Sequence, residues 1–234
     1  MKNKIKTIIF NFITFSLLLT PTIYAAEDHA DPQLLLDAAK NGKFEELQKL
    51  IEGGMNPNTA DSEGKTLLIL ATYHSPTRSH VDRLPNRNHF AIVKYLLERE
   101  GINPDSQINE GVLQGKTALI FASVKGLDDI AKLLLKHNAK TDLRDGDGTT
   151  ALMWASENRN DKMVELLLEH DAKPNLQDNE GNTALMEASS QGYKNIVKLL
   201  LKYNAKTDLR DKDGKTALDR TTNRRIQKMI RREN

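Results

Sequence analysis

Three histidines, His74, His80 and His89, come nearest to a metal-site pattern in this chain. A zinc site needs three or four converging ligands, usually Cys, His, Asp or Glu. The spacing of these histidines matches no common zinc pattern, there is no helical H-E-x-x-H, and the chain contains no cysteine. We therefore expect no metal site.

Other catalytic patterns are also missing from the sequence. It contains no G-x-S-x-G, no P-loop and no G-x-G-x-x-G in a strand–helix context. We predict that the protein is not an enzyme and holds no cofactor. The competing hypothesis is an enzyme built on the three histidines, which would require convergent groups with perturbed pKa values in a concave pocket.

Composition narrows the class of protein. The chain has 234 residues, with 34 Lys and Arg against 32 Asp and Glu, a formal charge of +2. This balance does not suit a strongly basic nucleic-acid binder, so we expect no nucleic-acid partner. Charged residues at 28% and hydrophobic residues at 38% fit a soluble globular or repeat protein.

The N-terminus has the layout of a secretory signal peptide. Lys2, Lys4 and Lys6 precede an apolar run over residues 8–19, and the small pair Ala25–Ala26 follows. We predict a signal peptide over residues 1–26, a periplasmic or secreted protein, and no stable membrane span after cleavage, because the run is shorter than the ~20 residues of a span. An uncleaved N-terminal anchor is the alternative.

The rest of the chain repeats with a period of 33 residues. Three similar segments begin at Leu133, Leu166 and Leu199, each starting with three leucines and ending in Thr-Ala-Leu. Sequence similarity at a fixed period of this size predicts a stack of repeats. Counting in both directions extends the pattern to about six units, which we place at residues 28–60, 61–111, 112–144, 145–177, 178–210 and a truncated 211–234.

Each unit predicts the same local structure. A turn such as Asp145–Thr150 contains a glycine that tolerates positive φ, and its threonine can cap the following helix. A short helix with small residues, a polar turn and a leucine-rich second helix follow. The second helix should end in left-handed geometry at Gly54, Asn138, Asp171 and Asn204.

These residues resemble the ankyrin repeat family, whose pattern is matched by DGDGTTALMWASENRNDKMVELLLEHDAKPN and twice more nearly as cleanly. The resemblance implies an all-α solenoid of about six helix–turn–helix repeats with β-turn fingers, over residues 27–234 after the signal peptide. The family's proline is replaced by Leu67 or by alanine, and its histidine by Ile, Met or Asp219, so the family's Thr–His hydrogen bond cannot form.

The resemblance also implies where a partner binds, because ankyrin proteins use the finger tips and the exposed positions of each first helix. Carried over position by position, the candidate contacts are Leu113, Gln114, Lys116, Val124, Lys125, Asp147, Thr149, Glu157, Asn158, Asn179, Glu180, Asn182, Gln191 and Lys212.

Two insertions break the period. The first, Ser75–Arg87, lies between two helices of the second unit and carries Arg78, Arg83 and Arg87. It is either a binding loop or a tolerated one, since lengthening a surface loop costs little. The second, within residues 103–115, would lengthen one finger toward a partner.

Three further features have two interpretations each. Trp154 should pack between repeats rather than anchor a partner.

Glu187 lies at a core-side position, so it should either reach solvent or pair with a cation. The C-terminal stretch around Ile226, Met229 and Ile230 is rich in arginine; it is either a polar cap on the last repeat or a site for an anionic partner such as an acidic protein or lipid headgroups.

We therefore predict a monomeric, non-enzymatic scaffold for a protein partner, acting in the periplasm or outside the cell. The alternatives are an immunity protein that neutralises a secreted toxin enzyme, a secreted protein that binds host proteins, and a structural element of a larger envelope assembly.

Overall fold

The computed structural model describes residues 31–77 and 86–233, with side chains from residue 88 onward in the second range. Pro32–Asn234 forms one compact unit. The predicted signal peptide, His80, Arg78 and Arg83 lie outside the described residues, as does the side chain of Arg87.

Helices make up nearly all the regular structure of the described residues, and the sheet-like pairing there amounts to two isolated bridges, Ala60 with Thr66 and Arg144 with Thr150. The helices are α1 Pro32–Lys40, α2 Phe44–Glu52, α3 Leu67–His74, α4 Asn86–Leu97, α5 Ala118–Lys125, α6 Asp128–Lys136, α7 Ala151–Glu157, α8 Asp161–Glu169, α9 Ala184–Ser190, α10 Lys194–Lys202 and α11 Arg224–Ile230.

Consecutive helices pair as hairpins, from α1 with α2 through to α9 with α10. The first helices α1, α3, α5, α7 and α9 each contact the next first helix, the second helices do the same, and α11 packs on α10. Each hairpin therefore covers the apolar side of its neighbour, as stacked repeats must. The prediction of an all-α solenoid is confirmed.

Threonines begin four of the first helices. The hydroxyls of Thr66, Thr117, Thr150 and Thr183 accept a hydrogen bond from the backbone N–H three residues on. Each bond satisfies one of the amides that a helix start leaves without a partner. Small residues follow on the same helices, and Ala71, Ala122, Ala155 and Ala188 are fully buried.

The second helices end as the sequence predicts. Asn138, Asp171 and Asn204 have φ of 61°, 62° and 61°, and Gly54 has φ of 103°. Asn and Asp tolerate this left-handed geometry better than other residues with a side chain. The chain therefore turns out of these four second helices at the same point, whereas it leaves α4 later, at Gly101 with φ of 78°.

The fingers are joined into a row by backbone hydrogen bonds. In a regular finger, the Asp145 carboxylate accepts from the backbone N–H groups of Asp147 and Thr149, at 3.1 and 2.9 Å. The next finger then donates from Asn179 N–H to the carbonyl of Asp147 at 2.9 Å. Equivalent bonds between fingers are Asn109 to Glu63, Gly146 to Gln114 and Lys212 to Glu180.

The finger over residues 108–117 is longer than the other described fingers. Ile108 occupies the position of the finger aspartate there. Its backbone N–H donates to the carbonyl of Lys116, as the backbone N–H of Asp145 donates to the carbonyl of Thr149 in a regular finger. Ile108 is 2% exposed, so an apolar side chain stabilises this finger where a carboxylate stabilises the others. The extra residues form a protruding tip at residues 110–113.

The last unit lacks a regular first helix, because residues 217–220 form a turn. Asp219 stands where the family has histidine, and its carboxylate accepts from both the backbone N–H and the hydroxyl of Thr216, at 2.9 and 2.7 Å. These bonds, together with the Asp219 N–H that donates back to the Thr216 hydroxyl at 3.4 Å, form a capping box of the kind that starts helices, but the helical turn does not continue past residue 220. They also lower the pKa of Asp219.

Candidate functional site

The first helices present a row of side chains one repeat apart. Tyr73, Val124, Glu157 and Ser190 occupy equivalent positions near their C-terminal ends. Glu157 and Ser190 are exposed, Val124 is half-buried, and Tyr73 is 36% exposed. Together with the finger tips they form the surface that we call the inner face.

Contacts between two repeats hold the inner face together near Tyr73. The Tyr73 ring packs on Phe121 of the next first helix with centroids 4.9 Å apart. Lys125 donates from its ammonium to the carbonyls of Tyr73 and Ser75, the latter at 2.7 Å. A cation bound to these carbonyls suits the negative end of α3. Burial lowers the pKa of Lys125.

Trp154 lies in the middle of the inner face and joins two repeats. Its indole N–H donates to the Asp145 carboxylate at 2.9 Å, and the Lys116 ammonium lies 4.0 Å from the centre of its ring. Lys116 also pairs with Asp145 at 2.8 Å, with side chains 11% and 2% exposed. Lys116 is thus engaged inside the stack, and little of its side chain is left for a partner.

Glu187 occupies, one repeat later, the position of Trp154. Its carboxylate has no ion pair among the described residues, whereas Arg220, at the same position in the last unit, pairs with Asp211 and donates to Asn182 at 2.7 Å. Burial is the main cause that raises the pKa of Glu187; Glu157 and Asp178 add to this effect, and Arg220 opposes it. The inner face therefore carries a half-buried carboxylate that the protein does not neutralise.

The predicted contact residues divide by exposure. Most finger and helix positions are exposed, namely Gln114, Asp147, Glu157, Asn158, Asn179, Glu180, Gln191 and Lys212. A second group is half-buried, namely Leu113, Lys116, Val124, Lys125, Thr149 and Asn182. Lys212 and Glu180 pair across adjacent fingers at 3.1 Å.

Sequence reasoning overlooked two inner-face residues. Tyr73 is equivalent to Val124. The finger glycines Gly64 and Gly115 are 51 residues apart, and the same offset leads from Tyr73 to Val124, so the sequence contained this signal. Val112 stands at the tip of the long finger and is 99% exposed. A fully exposed valine has no role in the core, so the long finger offers a partner an apolar contact.

The histidines do not form a metal site within the described residues, where no group of three or more potential ligands converges. His89 is buried in α4, and its Nε2 lies 3.1 Å from the carbonyl oxygen of Lys40. His74 ends α3 and stacks edge-on against Tyr73 at 4.8 Å. Burial is the first cause that lowers the pKa of His74, followed by the positive charges of Lys40 and Lys125.

A cleft of about 450 Å³ lies between the C-terminal ends of α2 and α4, lined by residues that include Met55, Pro57 and Arg99. The cleft contains no histidine and lies on the second helices, away from the inner face.

Among the helices of residues 31–77 and 86–233, none has the length and apolar character that a membrane span requires.

Comparison with known proteins agrees with this architecture. A family model described as ankyrin repeats (3 copies) matches residues 35–139 and 83–178, and one described as ankyrin repeats (many copies) matches residues 167–220. An E3 ubiquitin-protein ligase Ufd4 of Drosophila melanogaster is 42% identical over 115 residues, which is 49% of this chain and 4% of that protein. Ankyrin repeats indicate a scaffold for protein–protein interaction, and this chain belongs to the ankyrin repeat family.

Proposed function

We propose that the inner face binds one protein partner and that the protein acts as a non-enzymatic scaffold in the periplasm or outside the cell. The observation that carries the proposal is the set of inner-face side chains that the stack leaves available: Val112 at the finger tip, the partly exposed Tyr73, and the carboxylates of Glu157 and Glu187. Apolar anchors beside charged groups are what a protein interface needs.

The test uses two triple variants of the full chain. The inner-face variant is Tyr73→Ala, Val112→Ser and Glu157→Lys; the control variant, on the exposed side of the second helices, is Lys132→Ser, Glu165→Lys and Lys198→Ser. Each is used to capture proteins from an envelope fraction, with quantification by mass spectrometry. We expect a stoichiometric partner that the control retains and the inner-face variant loses. Equal capture by both variants would contradict the proposal.

The site of action rests on the signal-peptide pattern of residues 1–26. Cell fractionation and N-terminal sequencing of the recovered protein test it directly. We expect a mature chain that begins near Ala26 or Glu27 in the periplasm or the medium. A chain that retains Met1 in the cytosol would refute this part of the proposal and leave the binding surface unaffected.

A toxin-neutralising immunity protein is the second candidate, and the exposed carboxylate of Glu157 beside Glu187 favours it, because a blocking protein can place carboxylates against a cationic active site. Binding host proteins after secretion is a further variant of the same scaffold role. Co-expression with a secreted enzyme encoded beside this gene separates these roles. An immunity protein forms a 1:1 complex and abolishes the enzyme's activity, whereas a general scaffold leaves the activity intact.

A further inference from the structure

Charge is distributed very unevenly along this nearly neutral chain. Residues 32–193 hold 18 Lys and Arg against 24 Asp and Glu, a formal charge of −6. Residues 194–233 hold 13 Lys and Arg against 5 Asp and Glu, a formal charge of +8. The C-terminal end of the stack is thus strongly basic, while the preceding repeats are acidic.

Half of this excess positive charge lies within the ten residues of α11 and the segment just after it. Arg224, Arg225, Lys228, Arg231 and Arg232 are all exposed, and within the described residues none of their side chains has an ion pair or a hydrogen bond. Glu233 is the single acidic residue from position 220 onward. We call these five cations the basic plate.

Two cations of the plate, Arg224 and Arg225, work against the stability of their own helix, whereas Lys228 lies in its last turn, where a positive charge is favourable. Negative side chains stabilise a helix N-terminus and positive ones destabilise it. Accordingly α2 and α6 begin with acidic residues such as Glu45 and Asp128, but α11 begins with Arg224 and Arg225. A cap that only shields the last repeat needs Ile226 and Ile230, which are fully buried, and has no need of five unpaired cations.

We propose that the basic plate docks the C-terminal end of the stack onto a bilayer surface rich in anionic phospholipid headgroups. The plate has no exposed apolar anchor, since Ile226 and Ile230 face the stack and Met229 is half-buried. Specific protein interfaces are built around such anchors, whereas headgroup binding needs only unpaired cations.

The charge gradient along the stack also favours a bilayer over nucleic acid. A long polyanion would meet the acidic repeats as well as the plate and be repelled by them. A flat membrane approached end-on meets the plate alone. Lys194 and Lys198 of α10 are left out of the plate, because the acidic residues Asp161 and Glu165 occupy the equivalent positions on the adjacent α8.

The test measures binding of the full chain to vesicles of phosphatidylcholine with 30% phosphatidylglycerol, and to pure phosphatidylcholine, by co-sedimentation at low salt. The plate variant is Arg224→Gln with Lys228→Gln, and the matched control is Lys132→Gln with Lys136→Gln on α6, which removes the same charge from exposed positions. All three proteins are recovered from the same expression host and share one N-terminus, established by N-terminal sequencing, so any binding by the residues before Asp31 is the same in each. Thermal unfolding verifies that both variants are folded.

We expect the plate variant to bind anionic vesicles about 25-fold more weakly than the unaltered chain, since each cation near an anionic surface contributes about 1 kcal/mol, or roughly fivefold. The control should change little, and 0.5 M NaCl should remove the difference. Equal losses in both variants, or no dependence on phosphatidylglycerol, would overturn the proposal. A 20-base-pair DNA duplex that binds more tightly than vesicles at equal phosphate, in a plate-dependent way, would overturn it in favour of nucleic acid.

Discussion

Replacing Asp145 by alanine should destabilise the centre of the stack more than any change at an exposed finger charge. The Asp145 side chain is 2% exposed and serves two repeats, because it pairs with Lys116 at 2.8 Å and accepts from Trp154 at 2.9 Å. Asp145→Ala leaves Lys116, whose side chain is 11% exposed, without its ion-pair partner. Breaking a buried ion pair in this way costs about 3–5 kcal/mol.

The assay is urea unfolding followed by circular dichroism and by tryptophan fluorescence. Trp154 is the only tryptophan, so its fluorescence reports on this part of the stack. The control is Glu180→Ala, which removes a carboxylate from an ion pair at 3.1 Å whose side chains are 64% and 70% exposed. An exposed pair contributes about 1 kcal/mol or less, so this variant should unfold close to the unaltered protein.

A double-mutant cycle separates the ion pair from other effects of the substitution. Lys116→Met added to Asp145→Ala removes the stranded ammonium and should recover part of the lost stability, so the double variant loses less than the sum of the single ones. If Asp145→Ala and Glu180→Ala differ by less than about 1 kcal/mol, or if the two losses simply add, the buried network does not stabilise the stack as argued.

Three further predictions concern the fold and the inner face. Gly115→Ala should destabilise more than Gly214→Ala, measured by urea unfolding, because both glycines have left-handed φ (75° and 77°) but only at Gly115 would the new Cβ lie 2.8 Å from backbone atoms of the next finger. Thr183→Ala should cost about 1 kcal/mol through loss of the helix cap, and a Thr183→Ser variant should restore most of it. Glu187→Gln should stabilise the protein at pH 7, because the raised pKa of Glu187 means that the folded state disfavours its carboxylate. The gain in stability should shrink as the pH falls through that pKa, since the unaltered side chain then becomes neutral as well. A gain that grows toward acid pH would contradict this prediction.

The repeated part of the fold was predictable because its signals are local. A threonine cap, a left-handed Asn or Asp at the helix end and a glycine in the finger each act within a few residues, and the period repeats them in phase. The last unit keeps this local start signal, since Thr216 and Asp219 form a capping box, but its first helix ends after a single turn at residues 217–220.

The composition of the inner face was less predictable, because whether a side chain is available depends on the adjacent repeat. Lys116 and Asn158 have the same status as candidate contacts in the sequence, but Lys116 pairs with Asp145 of the next finger and Asn158 stays exposed. Ile108 likewise takes the place of a finger aspartate. It lies further along the sequence from Gly115 than the aspartates lie from their finger glycines, so the 33-residue period does not identify it.

The sequence alone thus determined the family, the helix hairpins and their order, since these follow from short-range preferences repeated every 33 residues. Tertiary structure alone decided which charges are neutralised inside the stack and which remain for a partner: Lys116 is used internally, while Glu187 and the basic plate are not. The physical reason is that ion pairs and burial depend on residues about one repeat apart in the sequence. A change of a few ångströms in the distance between two such side chains decides whether they form an ion pair or leave a charge unneutralised.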